Sequence, residues 1–152
     1  MAISADQLQL FLNVDEPDYD KLARFGRSIV PQLAQLVASQ DEYVAANAAS
    51  LAGMIGGTQA VAVLERAARS PSPFVRASSA AALGGVESPR ANGLLAALLS
   101  DRNKGVRKFA IKSAGVKKSA PLAARVADLS KRDPLPYLRS LASRVRSRMR
   151  VV

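Results

Sequence analysis

The chain has 152 residues, with 22 Lys plus Arg against 12 Asp plus Glu, and no His, Cys or Trp. That length fits one domain, and surface scaling gives roughly 7,400 Å² folded against about 23,000 Å² unfolded, enough burial for a sizeable core. Without His or Cys there is no Ser–His–Asp or Cys–His nucleophile system, no ordinary structural zinc site, no His-ligated haem and no disulfide. Apolar residues make up 49% and charged residues 22%, the balance of a globular protein. Aromatics are only 5%, so the core has to be Ala, Leu and Val, which implies closely packed helices.

The N-terminal stretch is acidic. Asp6, Asp15, Glu16, Asp18 and Asp20 precede the first base, Lys21, so the basic start and apolar run of a cleavable signal are missing. Two helices are expected here, around Ala5–Leu12 and Asp18–Phe25, covering the first repeat. An EF-hand loop starting at Asp15 needs Gly at position 20 and Glu at position 26; the chain has Asp20 and Gly26, with Pro17 between. The acids read instead as helix N-terminal charge.

From Tyr43 to Leu64 there are 22 residues without a charge, long enough to span a bilayer. Gly56-Gly57-Thr58-Gln59 would be polar and helix-breaking at mid-membrane. The stretch is therefore expected to form two soluble helices, with no membrane span.

A shift of 31 residues aligns Val44, Val75 and Val106, with Tyr137 next. It also aligns Gly53, Gly84 and Gly115; Leu33, Leu64, Leu95 and Val126; and Ala49, Ala80, Ile111 and Ala142. Four columns at one spacing, without insertion, mark an internal repeat. Each unit reads as two helices. The first helices are expected over Pro31–Ser39, Thr58–Ser70, Pro89–Ser100 and Ala120–Ser130. The second are expected over Glu42–Ile55, Pro73–Gly84, Lys104–Gly115 and Pro134–Met149. Pro71, Pro73, Pro89, Pro121 and Pro134 fall at joints or first turns, where a missing N–H does no harm. Val44, Ala48, Leu51, Ala52 and Ile55 make one apolar face at the helical period. The glycine near each end suits a left-handed cap or a close helix crossing.

The segments SPSPFVRASSAAALGGV (70–86) and DRNKGVRKFAIKSAGV (101–116) share a polar turn, then Val-Arg, then an Ala-rich helix closed by Gly. SQDEYVAANAASLAGMIG (39–56) has the same shape, with Ala45 where the others have Arg76 and Arg107. This pattern resembles the HEAT-repeat family in its short, lyase-type form, over about residues 28–150. In the last unit Leu138 replaces the Arg and Arg146 the Gly, as in a terminal cap. The resemblance implies an all-α fold, an α-solenoid of about four helix pairs with a 31-residue repeat. Its expected parts are capping helices at 1–27 and repeats at 28–57, 58–88, 89–118 and 119–152. It implies that second helices line a concave side, and that Arg76 and Arg107 are structural, pairing with turn acids such as Asp41 and Asp101. Iron-dependent hydroxylases of this class use His-Glu pairs, and its DNA glycosylases use Trp; this chain has neither residue. The bilin lyases share the repeat, but nothing here identifies a bilin site.

Charge divides along the chain. Residues 1–56 carry a net −4 and residues 57–152 a net +14. That asymmetry points to an anionic partner, although a solvated, solubilising end has the same look. Positions two, six and nine after the column valine point away from the apolar face. In the first two units they are Ala46, Ser50, Gly53 and Ala77, Ala81, Gly84, all uncharged. In the last two they are Lys108, Lys112, Gly115 and Arg139, Ser143, Arg146, with Arg150 one turn on. The expected partner-binding residues are therefore Lys108, Lys112, Arg139, Arg146 and Arg150, in a cationic trough. Arg144 and Arg148 are expected to flank the apolar stripe, and Lys117 and Lys118 to be solvated at a joint. The basic segment Leu135–Val152 has the composition of a membrane-surface helix, but its stripe is expected to seal the last repeat.

The expected function is a non-catalytic scaffold, without cofactor or metal, holding an acidic protein segment in this trough. A phosphate-backbone nucleic-acid module is the alternative, and an enzyme of unrecognised type a third. The aromatics are not expected to interleave with the bases, which argues against stacking on single strands. A cytoplasmic location is expected, and the oligomeric state stays open.

Overall fold

The computed structural model describes residues 2–151, and among them the only regular structure is helical. The chain opens with α1 (Ala5–Leu12), closed by a capping box between Ser4 and Gln7, then α2 (Tyr19–Ala23) and a 3-10 turn at Gly26–Ile29. Four helix pairs follow. Their first helices are α3 (Val30–Leu36), α5 (Gly57–Ala68), α7 (Pro89–Leu98) and α9 (Ala120–Arg132). Their second helices are α4 (Glu42–Ile55), α6 (Pro73–Leu83), α8 (Lys104–Ala114) and α10 (Pro136–Arg148).

Local chemistry sets these boundaries. Asp41, Ser72 and Asn103 cap second helices by accepting backbone N–H bonds, and Ser88 and Ser119 cap first helices in the same way. Gly56, at φ +69°, ends α4 and breaks the uncharged 43–64 stretch into two helices. No helix among the described residues is long and apolar enough to cross a membrane.

The pairs stack into a solenoid. Leu33, Leu64, Leu95 and Val126 of the first helices are fully buried against Val44, Val75, Val106 and Leu138 of the second. Successive second helices α4, α6 and α8 pack on one another far more extensively than successive first helices do, so this part of the stack is tighter on the second-helix side. The total accessible surface is 8,407 Å², about 1,000 Å² more than a compact globule of this mass exposes. An elongated stack accounts for the excess.

Glycine makes the tight crossings. A Cβ on Gly53 would sit 2.6 Å from the Ala82 Cβ, and one on Gly115 2.6 Å from Val145 Cγ1. Gly84 and Gly115 have right-handed φ values of −59° and −62°, so they serve the crossing and not a left-handed cap.

The repeat contains one insertion, which corrects the expected alignment of the last unit. Ser39, Ser70, Asp101 and Asp133 each accept the N–H two residues later, at the turn before a second helix. The last interval is one residue longer than the other two, because α9, at 13 residues, is three longer than α7, at 10, while the turn that follows it is two shorter. Leu138, with no exposure, therefore holds the valine position, while Tyr137 is 50% exposed. Arg139, and not Leu138, holds the place of Arg76 and Arg107.

The N-terminal segment lies over α4. Asn47 donates to the Leu12 carbonyl at 2.8 Å and accepts from the Tyr19 hydroxyl at 2.8 Å.

Candidate functional site

Arginine and aspartate knit successive repeats together. Arg76 donates from Nη1 to the Ser70 and Pro71 carbonyls at 2.9 and 3.2 Å, which fixes the plane of its guanidinium. Its Nε and Nη2 then hold both oxygens of Asp101, in the next turn, at 2.8 and 3.1 Å. Arg107 repeats the arrangement with the Asp101 and Arg102 carbonyls and the carboxylate of Asp133. Bidentate, poorly solvated pairs of this kind are rigid and geometrically specific. Burial pushes the Asp101 carboxyl up, but hydrogen bonds from Arg76 and the Asn103 N–H, with the charges of Arg76 and Arg102, outweigh it and hold the group below its ordinary value. Asp101 is thus one of the expected turn acids. Asp41 is not: it caps α4 instead.

Much of the remaining cationic charge is consumed inside the molecule. Glu65 pairs with Arg69 and Arg90, and Asp128 with Arg132. Arg66 and Arg125 donate to the carbonyls of Ala34 and Ala96 on the preceding first helix. Lys117 is not solvated as expected. It is 1% exposed, fills the position held by Val86 one repeat earlier, and donates from Nζ to the Val86 carbonyl and to Glu87.

Among the described residues, free bases remain on α8 and α10, as they do at Lys21, Arg24, Arg27, Arg102, Lys118 and Lys131. Lys104, Lys108 and Lys112 lie one turn apart along the exposed side of α8, with no hydrogen-bonding or ionic partner among the described residues. Arg144, also exposed and unpartnered among them, occupies in α10 the register that Lys112 occupies in α8.

Of the five residues expected to bind a partner, Lys108 and Lys112 share this face. The one-residue insertion moves the others. Arg139 is half-buried at the turn, its Nη1 on the carbonyls of Asp133 and Pro134. Arg146 takes the register of Leu83 and Ala114, which are buried in earlier repeats. Arg150 is exposed just past α10. Arg144 was missed in their favour, although Leu138-Arg139 repeats Val75-Arg76 and Val106-Arg107 and would have revealed the shift.

Two further expectations change. The first unit of the neutral N-terminal half is covered, with Ala46 buried, Gly53 under Ala82 and α1 and α2 over α4, while Ala81 of the second unit is exposed. Phe109 does adjoin the bases. It is 39% exposed, next to Lys108 and one turn from Lys112. A cleft of about 570 Å³ lies elsewhere, between the turns around Ser39 and Ser70. Among the described residues no group of three or more acidic side chains could hold a metal ion.

The architecture is that of an α-solenoid whose second helices form one wall. A family model for HEAT repeats matches residues 20–83 and 64–147, and the chain belongs to that family. No curated protein matches the sequence. Among solved structures, the fold is similar to the complex of CpcE and CpcF of phycocyanin lyase from Nostoc sp. PCC7120, at TM-score 0.75 and 20% identity, over 93% of this chain and 96% of that one. It is also similar to human deoxyhypusine hydroxylase, at TM-score 0.69 and 20% identity, over 78% of this chain and 42% of that one. At such identity these likenesses show the fold.

Proposed function

We propose that the chain is a non-catalytic HEAT-repeat scaffold that holds an acidic protein segment on the face built by Lys108, Lys112 and Arg144. One observation carries this reading. Arg66, Arg69, Arg76, Arg90, Arg107, Arg125 and Arg132 are tied to carboxylates or carbonyls, whereas Lys108, Lys112 and Arg144 stand on neighbouring second helices, exposed and unpartnered among the described residues. Long, solvated bases aligned along one wall suit an extended anion and impose little demand on its conformation. That a similar fold is seen in a complex of two proteins, CpcE and CpcF, supports a role in protein association. A cytoplasmic location accompanies this reading.

Charge reversal tests it. Lys108→Glu with Lys112→Glu abolishes binding of a labelled peptide of alternating Asp and Glu, while helicity and melting stay unchanged. Retention of affinity by that variant removes the face from consideration.

Phe109 favours a second reading, nucleic acid, because an exposed ring beside lysines can stack on a base. A labelled 20-mer in single-stranded and duplex form separates the two. Three phosphate contacts to a duplex give a log–log salt slope of about −3. Tighter binding of the oligonucleotide than of the acidic peptide would favour nucleic acid.

A further inference from the structure

We propose that Arg139 is an open carboxylate socket at the end of the arginine–aspartate ladder, built to take an aspartate or glutamate side chain from an acidic turn of a partner protein. The site lies at the turn before α10 and is independent of the Lys108, Lys112 and Arg144 wall.

The ladder supplies its own precedents. In Arg76 and Arg107, Nη1 is anchored on the carbonyls six and five residues earlier, and the edge formed by Nε and Nη2 takes both oxygens of an aspartate. Arg139 has the first half of this arrangement. Its Nη1 donates to the Asp133 carbonyl at 2.6 Å and the Pro134 carbonyl at 3.3 Å, again six and five residues earlier. The second half is vacant: no carboxylate among the described residues meets its Nε or Nη2. The guanidinium is therefore preorganised, its plane set by backbone, with two parallel donors left without a partner among the described residues. That is the geometry for bidentate carboxylate recognition, and the ordering entropy of the side chain has already been spent in folding.

The surroundings select the ligand. In earlier repeats the positions four and seven residues beyond the arginine are Ala80 and Leu83, or Ile111 and Ala114, all buried. Beyond Arg139 they are Ser143, exposed, and Arg146, half-buried. A further apolar repeat would bury Arg146 without a partner, which is costly. An acidic segment neutralises it.

Arginine Nε–Hε NMR spectra of the full chain test the proposal. The probes are the capped peptide Leu-Leu-Ser-Asp-Glu-Asn-Asp-Gly-Val, the turn around Asp101 with its two bases replaced by acids, and the same peptide with Asn in place of the first Asp. The Asp peptide moves the Arg139 signal saturably toward the positions of Arg76 and Arg107, with Kd on the order of 1 mM, and the Asn peptide binds at least about tenfold more weakly. Arg139→Lys loses the Asp-peptide preference while the Arg76 and Arg107 signals report an intact ladder. Lys108→Glu with Lys112→Glu retains it, which separates this site from the wall. The proposal is overturned by an unmoved Arg139 signal, by equal response to the two peptides, or by an equal shift at exposed Arg132. It is also overturned if Arg139 already resonates with Arg76 and Arg107 before peptide is added, because the fork is then filled from within the chain.

Discussion

Ser113 Oγ stands 2.9 Å from where a Cβ on Gly84 would sit, and the Ser113 Cβ only 3.2 Å away. The contact is the α6–α8 member of a series whose neighbours are Gly53 on Ala82 and Gly115 on Val145. Each glycine lets one second helix approach the next. Gly84→Val forces these helices apart and costs about 1–3 kcal/mol. Gly93 is different: it lies exposed in α7 with nothing within 4 Å of an added Cβ. Gly93→Ala stabilises by about 0.5–1 kcal/mol through helix propensity alone. Chemical denaturation of the two variants measures both values, and equal effects would contradict the crossing geometry.

The Asp133 side chain has no exposure, and Arg107 is its ionic partner at 2.8 Å. Arg107→Ala leaves that carboxylate buried and uncompensated, at a cost of about 3–5 kcal/mol. Exposed Arg132, paired with Asp128 within one helix, contributes far less, and Arg132→Ala leaves the denaturation midpoint nearly unchanged.

Asp101 makes the ladder acid-sensitive. Its native pKa is lowered, so its stabilisation is present above the unfolded value of about 3.9 and fades as pH falls through the native one. Arg76→Gln removes its principal partner. The variant is less stable at neutral pH, and between about pH 5 and pH 2 it loses less stability than the parent. Thermal melts across that range give the two slopes, and parallel slopes would count against the assigned cause.

Lys117 occupies a position that Val86 and Met149 fill with apolar side chains in the flanking repeats, both buried. Lys117→Met keeps the volume, removes a buried ammonium and stays within about 1 kcal/mol of the parent. Lys117→Ala opens a cavity and costs about 2–4 kcal/mol. Neither changes affinity for the acidic peptide, because this lysine never reaches the basic wall.

The helical pattern was legible because it is written in local chemistry. Ala5–Leu12 and Glu42–Ile55 begin at Ser4 and Asp41 caps, and Glu42–Ile55 stops at a positive-φ glycine, Gly56. The apolar columns at Leu33, Leu64, Leu95 and Val126 are all buried as the period requires. The site was harder to read, for one geometric reason. A single extra residue between the buried Val126 and Leu138 rotates every position of α10 by 100° relative to the 31-residue repeat. Charge counts do not register such a rotation, so Arg144 was left out and Arg139 placed on the wrong face. Lys117 was hidden differently: a lysine in a core column looks solvated until a carbonyl from the previous repeat, here Val86, is found at its tip.

The central claim is that exposed bases of α8 and α10 form the binding wall. Backbone amide shifts during titration with the alternating Asp–Glu peptide test it most directly. The account predicts perturbations along residues 104–112 and around Arg144, suppressed by high salt, with α3, α5 and α7 silent. Shifts centred on those first helices, or none anywhere at low salt, would contradict it.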